Sequence, residues 1–262
     1  MLEKVADLIR QTAKECLLPH FNNLQAGEVA TKSSATDFVT VADTEAETFL
    51  SSKLLELVPG SVVVGEEVAF KNPNVFDALS YPDTVIWIID PLDGTKNFIK
   101  GKDVFGTIVA MVKNGKTVAG WIYIPLHDDM MIMGEEGGGI WANGVKLPDI
   151  NVHKELSELK GTLSIELPAL DEKIKNRLWW GSAAFSYAML ATGVVDFGIY
   201  STHPLQPWDH AAGVFMHKEL GGYGALSDGS EYRPMQINGS LILAPDEEIW
   251  REMAKAMESY MA

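Results

Sequence analysis

A single cysteine stands in 262 residues. Cys16 can form no internal bridge, so a disulfide framework is excluded, and with no second thiol a structural zinc site has almost nothing to be built from. Histidine is as thin: six are scattered along the chain. Only His203/His210 and His210/His217 come near one another, and the latter pair, two helical turns apart, reads as packing or surface. Arginine occurs only at positions 10, 177, 233 and 251. Lys and Arg together number 21 against 36 Asp and Glu, a formal charge of −15. That balance argues against nucleic acid or an anionic lipid surface as partner. No apolar run approaches the roughly 18 residues a membrane span needs. Met1-Leu2-Glu3-Lys4 opens an amphipathic helix with neither a signal h-region nor a cleavage site, and a cytoplasmic protein is expected. The templates G-x-S-x-G, G-x-x-x-x-G-K-[ST] and G-x-G-x-x-G are also missing. Gly137-Gly138-Gly139 reads as a hairpin turn.

What is present centres on Val85 to Phe98. Val85-Ile86-Trp87-Ile88-Ile89 is an apolar, β-branched run that reads as a buried strand. It ends in Asp90-Pro91-Leu92-Asp93-Gly94-Thr95, two carboxylates three residues apart. Gly94-Thr95-Lys96-Asn97 can open a helix, whose free N–H groups favour an anion. Carboxylates beside an anion seat make electrostatic sense only with a cation between them, which points to a magnesium–phosphate site.

Around it the chain reads as mixed α and β. Residues 1–24 carry apolar positions at helical spacing, with Cys16 on that face. The segment 31–43 reads as a loop with a short extended piece. Thr44-x-x-Glu47 resembles a capping box for a helix over 44–57. Ser61-Val62-Val63-Val64 reads as a short strand stopping at Gly65-Glu66-Glu67. Asn114-Gly115 between apolar runs signals a hairpin, and Met130 to Asn143-Gly144 continues an antiparallel meander. Polar composition near 145–160 suggests a boundary between an N-terminal half, 1–148, and a C-terminal half, 149–262. Beyond it come strands near 162–166, 195–200, 223–226 and 239–244, and helices near 170–177, 183–192, 208–220 and 246–260. The hydrophobic fraction of 47% is ample for a large core. The expected arrangement is two sheets separated by helix layers, with the site between the halves.

Three acidic stations each stand at the end of a core element: Glu66-Glu67, Asp90 with Asp93, and Asp209 in Pro207-Trp208-Asp209-His210-Ala211-Ala212-Gly213. Oxygen ligands of this kind suit Mg²⁺. Each station alone has a plainer reading. Asp209 and Asp43 could be helix caps, Glu66-Glu67 a solvated turn, Asp90-Pro91 a turn initiator, Thr95 a first-turn residue.

The run Trp87 to Phe98 resembles the first signature of the inositol monophosphatase-like family. Trp208-Asp209-His210-Ala211-Ala212-Gly213 resembles the second, and Gly65-Glu66-Glu67 completes the pattern. The resemblance implies a five-layered αβαβα sandwich, a homodimer, lithium sensitivity, and hydrolysis of a small-molecule phosphate ester with two or three Mg²⁺ per site. It implies Glu66, Asp90, the Leu92 carbonyl, Asp93 and Asp209 as metal ligands. Glu66 and Thr95, the latter bonded to Asp43, would orient and deprotonate the attacking water. Asp93, Gly94, Thr95, Gly181, Ala183 and Asp209 would contact the substrate. For Gly181-Ser182-Ala183-Ala184 tight helix packing is an equal alternative. Inositol-hydrolysing members carry a glutamate shortly before the Trp-Asp pair. No acid lies between Asp196 and Asp209 here, which weakens inositol 1-phosphate as substrate. Histidinol phosphate and adenosine 3′,5′-bisphosphate are the alternatives, with a non-catalytic regulatory protein on the same fold behind them. Deprotonation of water and ligands predicts activity at neutral to alkaline pH.

Overall fold

The computed structural model describes residues 1–32, 38–150, 155–201, 204–235 and 237–261. The readings that fall on 33–37, on His153 within 151–154, and on Thr202 and His203 lie outside these residues. The chain opens with α1 (Leu2–Thr12), which widens into a π turn over Ala13–Leu17 with Cys16 buried. A two-stranded ribbon, β1 (Val29–Thr31) and β2 (Phe38–Thr40), leads into α2 (Val41–Leu57). Then come β3 (Val62–Gly65), α3 (Glu66–Lys71), β4 (Ile86–Asp93), α4 (Thr95–Ile99), β5 (Gly106–Lys113), β6 (Lys116–Ile124), β7 (Met130–Glu135), β8 (Gly139–Ala142) and β9 (Val145–Lys146). The rest comprises β10 (Lys160–Leu163), α5 (Pro168–Asp171), β11 (Asn176–Leu178), α6 (Ala183–Ala191), β12 (Phe197–Tyr200), α7 (Pro207–Glu219), β13 (Tyr223–Leu226), β14 (Leu241–Ala244) and α8 (Glu247–Met261).

Strands β3 to β9 form one sheet in chain order. Only β3 and β4 in it run parallel; the rest is the antiparallel meander expected from the Asn-Gly turns. The second sheet has the order β11-β10-β12-β14-β13 and mixes parallel with antiparallel pairs.

The two-residue period of the strands sorts apolar side chains into layers. Trp87, Ile89, Val109, Trp121 and Met131 turn one way, onto the buried faces of α1 and α2. Ile86, Ile88, Ile108, Ala110, Ile122 and Ile132 turn the other way, onto α6 and α7. Leu241 and Leu243 meet the same two helices from the second sheet, while Phe197, Ile199, Ile242 and Ala244 face outward onto α5 and α8. The result is helix, sheet, helix, sheet, helix: the five layers the resemblance implies.

Two local readings change. The helix read over 44–57 starts earlier, at Val41. Thr40 is its cap, and the box is closed by Asp43, whose Oδ2 accepts Thr40 N at 2.8 Å. Glu47, read as the closing acid, is buried and engaged elsewhere. The helix read over 170–177 is only the turn Pro168–Asp171; the chain then runs out as edge strand β11, parallel to β10.

Candidate active site

Strand β4 carries the centre of the site. By the pleat, Asp90 points the same way as Ile86 and Ile88, toward α6 and α7. Regular alternation would send Asp93 to the opposite face. A bulge prevents this: Asp90 pairs with Ile108 but Asp93 with Gly106, so one extra residue is accommodated on β4. The irregular stretch is pinned by Thr107 Oγ1 donating to the Pro91 carbonyl at 2.9 Å. Gly94 follows at φ +87°, and a Cβ there would lie 3.0 Å from the Val104 carbonyl. Only glycine fits this corner.

Asp209 arrives from the first turn of α7. Carboxylate oxygens of Asp90, Asp93 and Asp209 all lie within 4.8 Å of one another. Burial pushes Asp90 and Asp209 well above the usual carboxylate range, and neighbouring acids push further: Glu66 first for Asp90, Asp93 first for Asp209. Burial also raises Asp93, against the Ser182 hydroxyl and the Ala184 N–H, which both donate to its Oδ2. Three carboxylates at such separation repel strongly in a poorly solvated site. Among the described residues, no donor reaches the Asp209 carboxylate. A hard, oxygen-seeking cation fits this donor set, and Leu92 lines the same cleft.

Glu66 opens α3 on the cleft wall but lies outside that triad. Its Oε1 is 2.6 Å from Lys32 Nζ, which also stands 2.5 Å from Glu67. Burial alone would lower the Lys32 ammonium; Glu66 and Glu67 outweigh this and hold it above its ordinary value. Glu47 positions this corner from beneath. Its two oxygens accept Glu67 N and Val68 N, each at 2.8 Å. Gly65 passes so close that a Cβ would lie 2.5 Å from the Glu47 carboxyl.

Thr95 Oγ1 lies 2.9 Å from Asp43 Oδ1 and 3.0 Å from the Leu92 carbonyl. Burial raises Asp43 to about 7 despite its bonds from Thr40 and Thr95. The cleft holds about 440 Å³ and brings together Glu66, Asp90, Leu92, Asp93, Gly94, Thr95 and Asp209. Gly181 and Ala183 are not among its lining residues. They flank Ser182, on the loop that fastens Asp93, and Asn97 ties this loop to the first half by donating to the Trp180 carbonyl at 2.9 Å. Lys32 carries no sequence signal, and the signals at Glu47, Ser182 and Asn97 do not point to these contacts; a partner distant in the chain gives each its place.

Fold and acid cluster together define a class: a layered α/β protein with a strand-end carboxylate site that could hold a metal ion. The inositol monophosphatase family matches over residues 1–262. An inositol-1-monophosphatase of Mesorhizobium japonicum is 32% identical over 251 residues, covering 91% of this chain and 89% of that protein. One from Bacillus subtilis is 30% identical over 215 residues, 78% of each. The solved Thermotoga maritima IMPase superposes with a TM-score of 0.79 at 27% identity, over 98% of this chain and 94% of that one. The chain belongs to the inositol monophosphatase family. It is an enzyme, a phosphoric monoester hydrolase.

Proposed function

We propose that the chain is a Mg²⁺-dependent phosphomonoesterase acting on a small-molecule phosphate ester of the inositol-monophosphate type. The observation that supports this best is the convergence of the Asp90, Asp93 and Asp209 oxygens within 4.8 Å in a buried cleft. Asp90, Asp93, Asp209, the Leu92 carbonyl and Glu66 would hold the metal, two or three ions in all. Mg²⁺ bound there supplies a Lewis acid that neutralises phosphate charge and lowers the pKa of water.

The protein's own groups do the remaining work. Thr95 has one proton for two acceptors, Asp43 and the Leu92 carbonyl, and its lone pairs stay free to orient a water. Asp43, near neutrality, can take up or return a proton through that hydroxyl. The backbone at Gly94 and Thr95 faces the cleft and can receive phosphate oxygens. No side chain need bond covalently to phosphorus; positioning and charge neutralisation are enough.

A homodimer, lithium sensitivity, a cytoplasmic location and a division into halves 1–148 and 149–262 belong to the same proposal. They are supported by family membership and, for the halves, by the two sheets. Two named relatives support an inositol phosphate; the missing acid before Trp208 weakens inositol 1-phosphate itself and leaves histidinol phosphate and adenosine 3′,5′-bisphosphate as the alternatives. The test is phosphate release from inositol 1-phosphate, histidinol phosphate, fructose 1,6-bisphosphate and adenosine 3′,5′-bisphosphate, with Mg²⁺ and then with excess EDTA. Release from at least one ester, stopped by EDTA and restored by Mg²⁺, is expected. No release from any of them contradicts the proposal.

A further inference from the structure

The cleft has walls of opposite character. One is the acid cluster with Lys32. The other is apolar, made by Ala69, Phe70, Pro73, Phe76 and Trp208. Phe76 and Trp208 stack, with ring centroids 5.9 Å apart and planes inclined by 18°. Phe70 is 48% exposed.

Each aromatic element is tied directly to a station of the acid cluster. Phe70 follows Glu66 by four residues on α3, so both stand on one helix face, about 6 Å apart along the axis. Trp208 immediately precedes Asp209. A phosphate held at the acids therefore places its alcohol portion beside Phe70 and the Phe76–Trp208 stack. A half-exposed phenylalanine at the mouth of a polar cleft loses transfer free energy unless something covers it. Gln206 also lines the cleft and offers one amide to a polyol, but hydroxyls turned toward Phe70, Phe76 and Trp208 would lose water and find no partner there. A flat aromatic ring would keep its polar edge outward and bury its faces.

We propose that Phe70, with Phe76 and Trp208, forms a leaving-group subsite selecting phosphate monoesters whose alcohol carries a planar aromatic ring over esters of an all-hydroxyl polyol. The subsite rests on the reading of the cleft as a phosphomonoesterase site; among the esters weighed there it sides with those bearing an aromatic ring, histidinol phosphate and adenosine 3′,5′-bisphosphate, against inositol 1-phosphate. Phe70 acts on ground-state and transition-state binding alike, so its effect falls mainly on KM.

The test uses the full chain with Mg²⁺ and two esters of unactivated alkyl alcohols, 2-phenylethyl phosphate and glycerol 2-phosphate. The wild type is expected to favour the phenylethyl ester in kcat/KM. Phe70→Ala and Phe70→Leu are expected to lower that preference about tenfold, mainly through KM, and Phe70→Tyr to keep it. A wild type that favours glycerol 2-phosphate overturns the subsite, and so does a preference that Phe70→Ala and Phe70→Leu leave unchanged. In both cases the phosphatase reading survives. If the wild type hydrolyses neither ester nor any of the phosphate esters named above, the phosphatase reading falls and the subsite with it.

Discussion

Asp90 shows how much free energy is stored in single residues of this site. Burial raises Asp90 and Asp209, and it raises Asp43 and Glu47 to about 7. A carboxyl whose folded pKa exceeds its unfolded value stabilises fully below the unfolded value, near 4, and loses that contribution as pH rises through the folded value. The buried His210 and His217 are lowered by burial, to about 3 and about 4, and oppose this below about pH 6.5. The raised carboxyls outnumber them, so the acids decide the sign. The metal-free protein in EDTA should therefore melt at a lower temperature at pH 7.5 than at pH 5. Mg²⁺ should raise the melting temperature more at pH 7.5, where the ligands are ionised. Thermal unfolding by circular dichroism reads both. A higher melting temperature in EDTA at pH 7.5, or a Mg²⁺ effect equal at the two pH values, contradicts this.

Among elements, α7 couples the acid cluster to the core. Its small residues after Asp209 are needed on two sides. Ala212 meets Gly120 on β6, where a Cβ would lie 3.2 Å away, and Gly213 meets the ring of Tyr187 on α6. Replacing Gly213 by alanine gains about 1 kcal/mol of helix propensity. The new Cβ would stand 2.1 Å from that ring. Tyr187 is fully buried and bonded to His210 Nδ1 at 3.0 Å, so it has nowhere to go. Overpacking, about 1–3 kcal/mol or more, wins. Gly213→Ala should lower the urea midpoint with the slope unchanged; a raised midpoint would mean the helices can separate. The same element shows what a sequence can carry. The acid-bearing strand end, the Asn-Gly hairpins and α7 were legible because their signals are local and periodic. The start of α2 is ambiguous in the sequence because Thr44-x-x-Glu47 fits the capping pattern as well as Thr40-x-x-Asp43 does. Only the tertiary demand for Glu47 beneath Glu67 and Val68 decides between them. The helix read over 170–177 takes in the first two residues of the outer strand β11, because that strand's three residues carry too little pattern to outweigh the turn before it.

At the scale of the whole molecule, a −15 chain concentrates buried carboxylates where two sheets and their shared helix layer meet. No helix among the described residues is long and apolar enough to cross a membrane. The bulge in β4, the Gly94 corner and the docking of α7 bring Asp90, Asp93 and Asp209 together across 119 residues of chain, an arrangement whose repulsion a bound cation would relieve. That repulsion is the central claim, and Asp90→Asn probes it most directly. The exchange removes a buried charge while keeping shape. On whichever ester the wild type hydrolyses fastest, phosphate release should require Mg²⁺. It should fall at least about 100-fold in Asp90→Asn. The variant's metal-free melting temperature should stay at or above that of the wild type. Wild-type release that persists in EDTA, or a variant that keeps most of its Mg²⁺-dependent rate, would contradict the account.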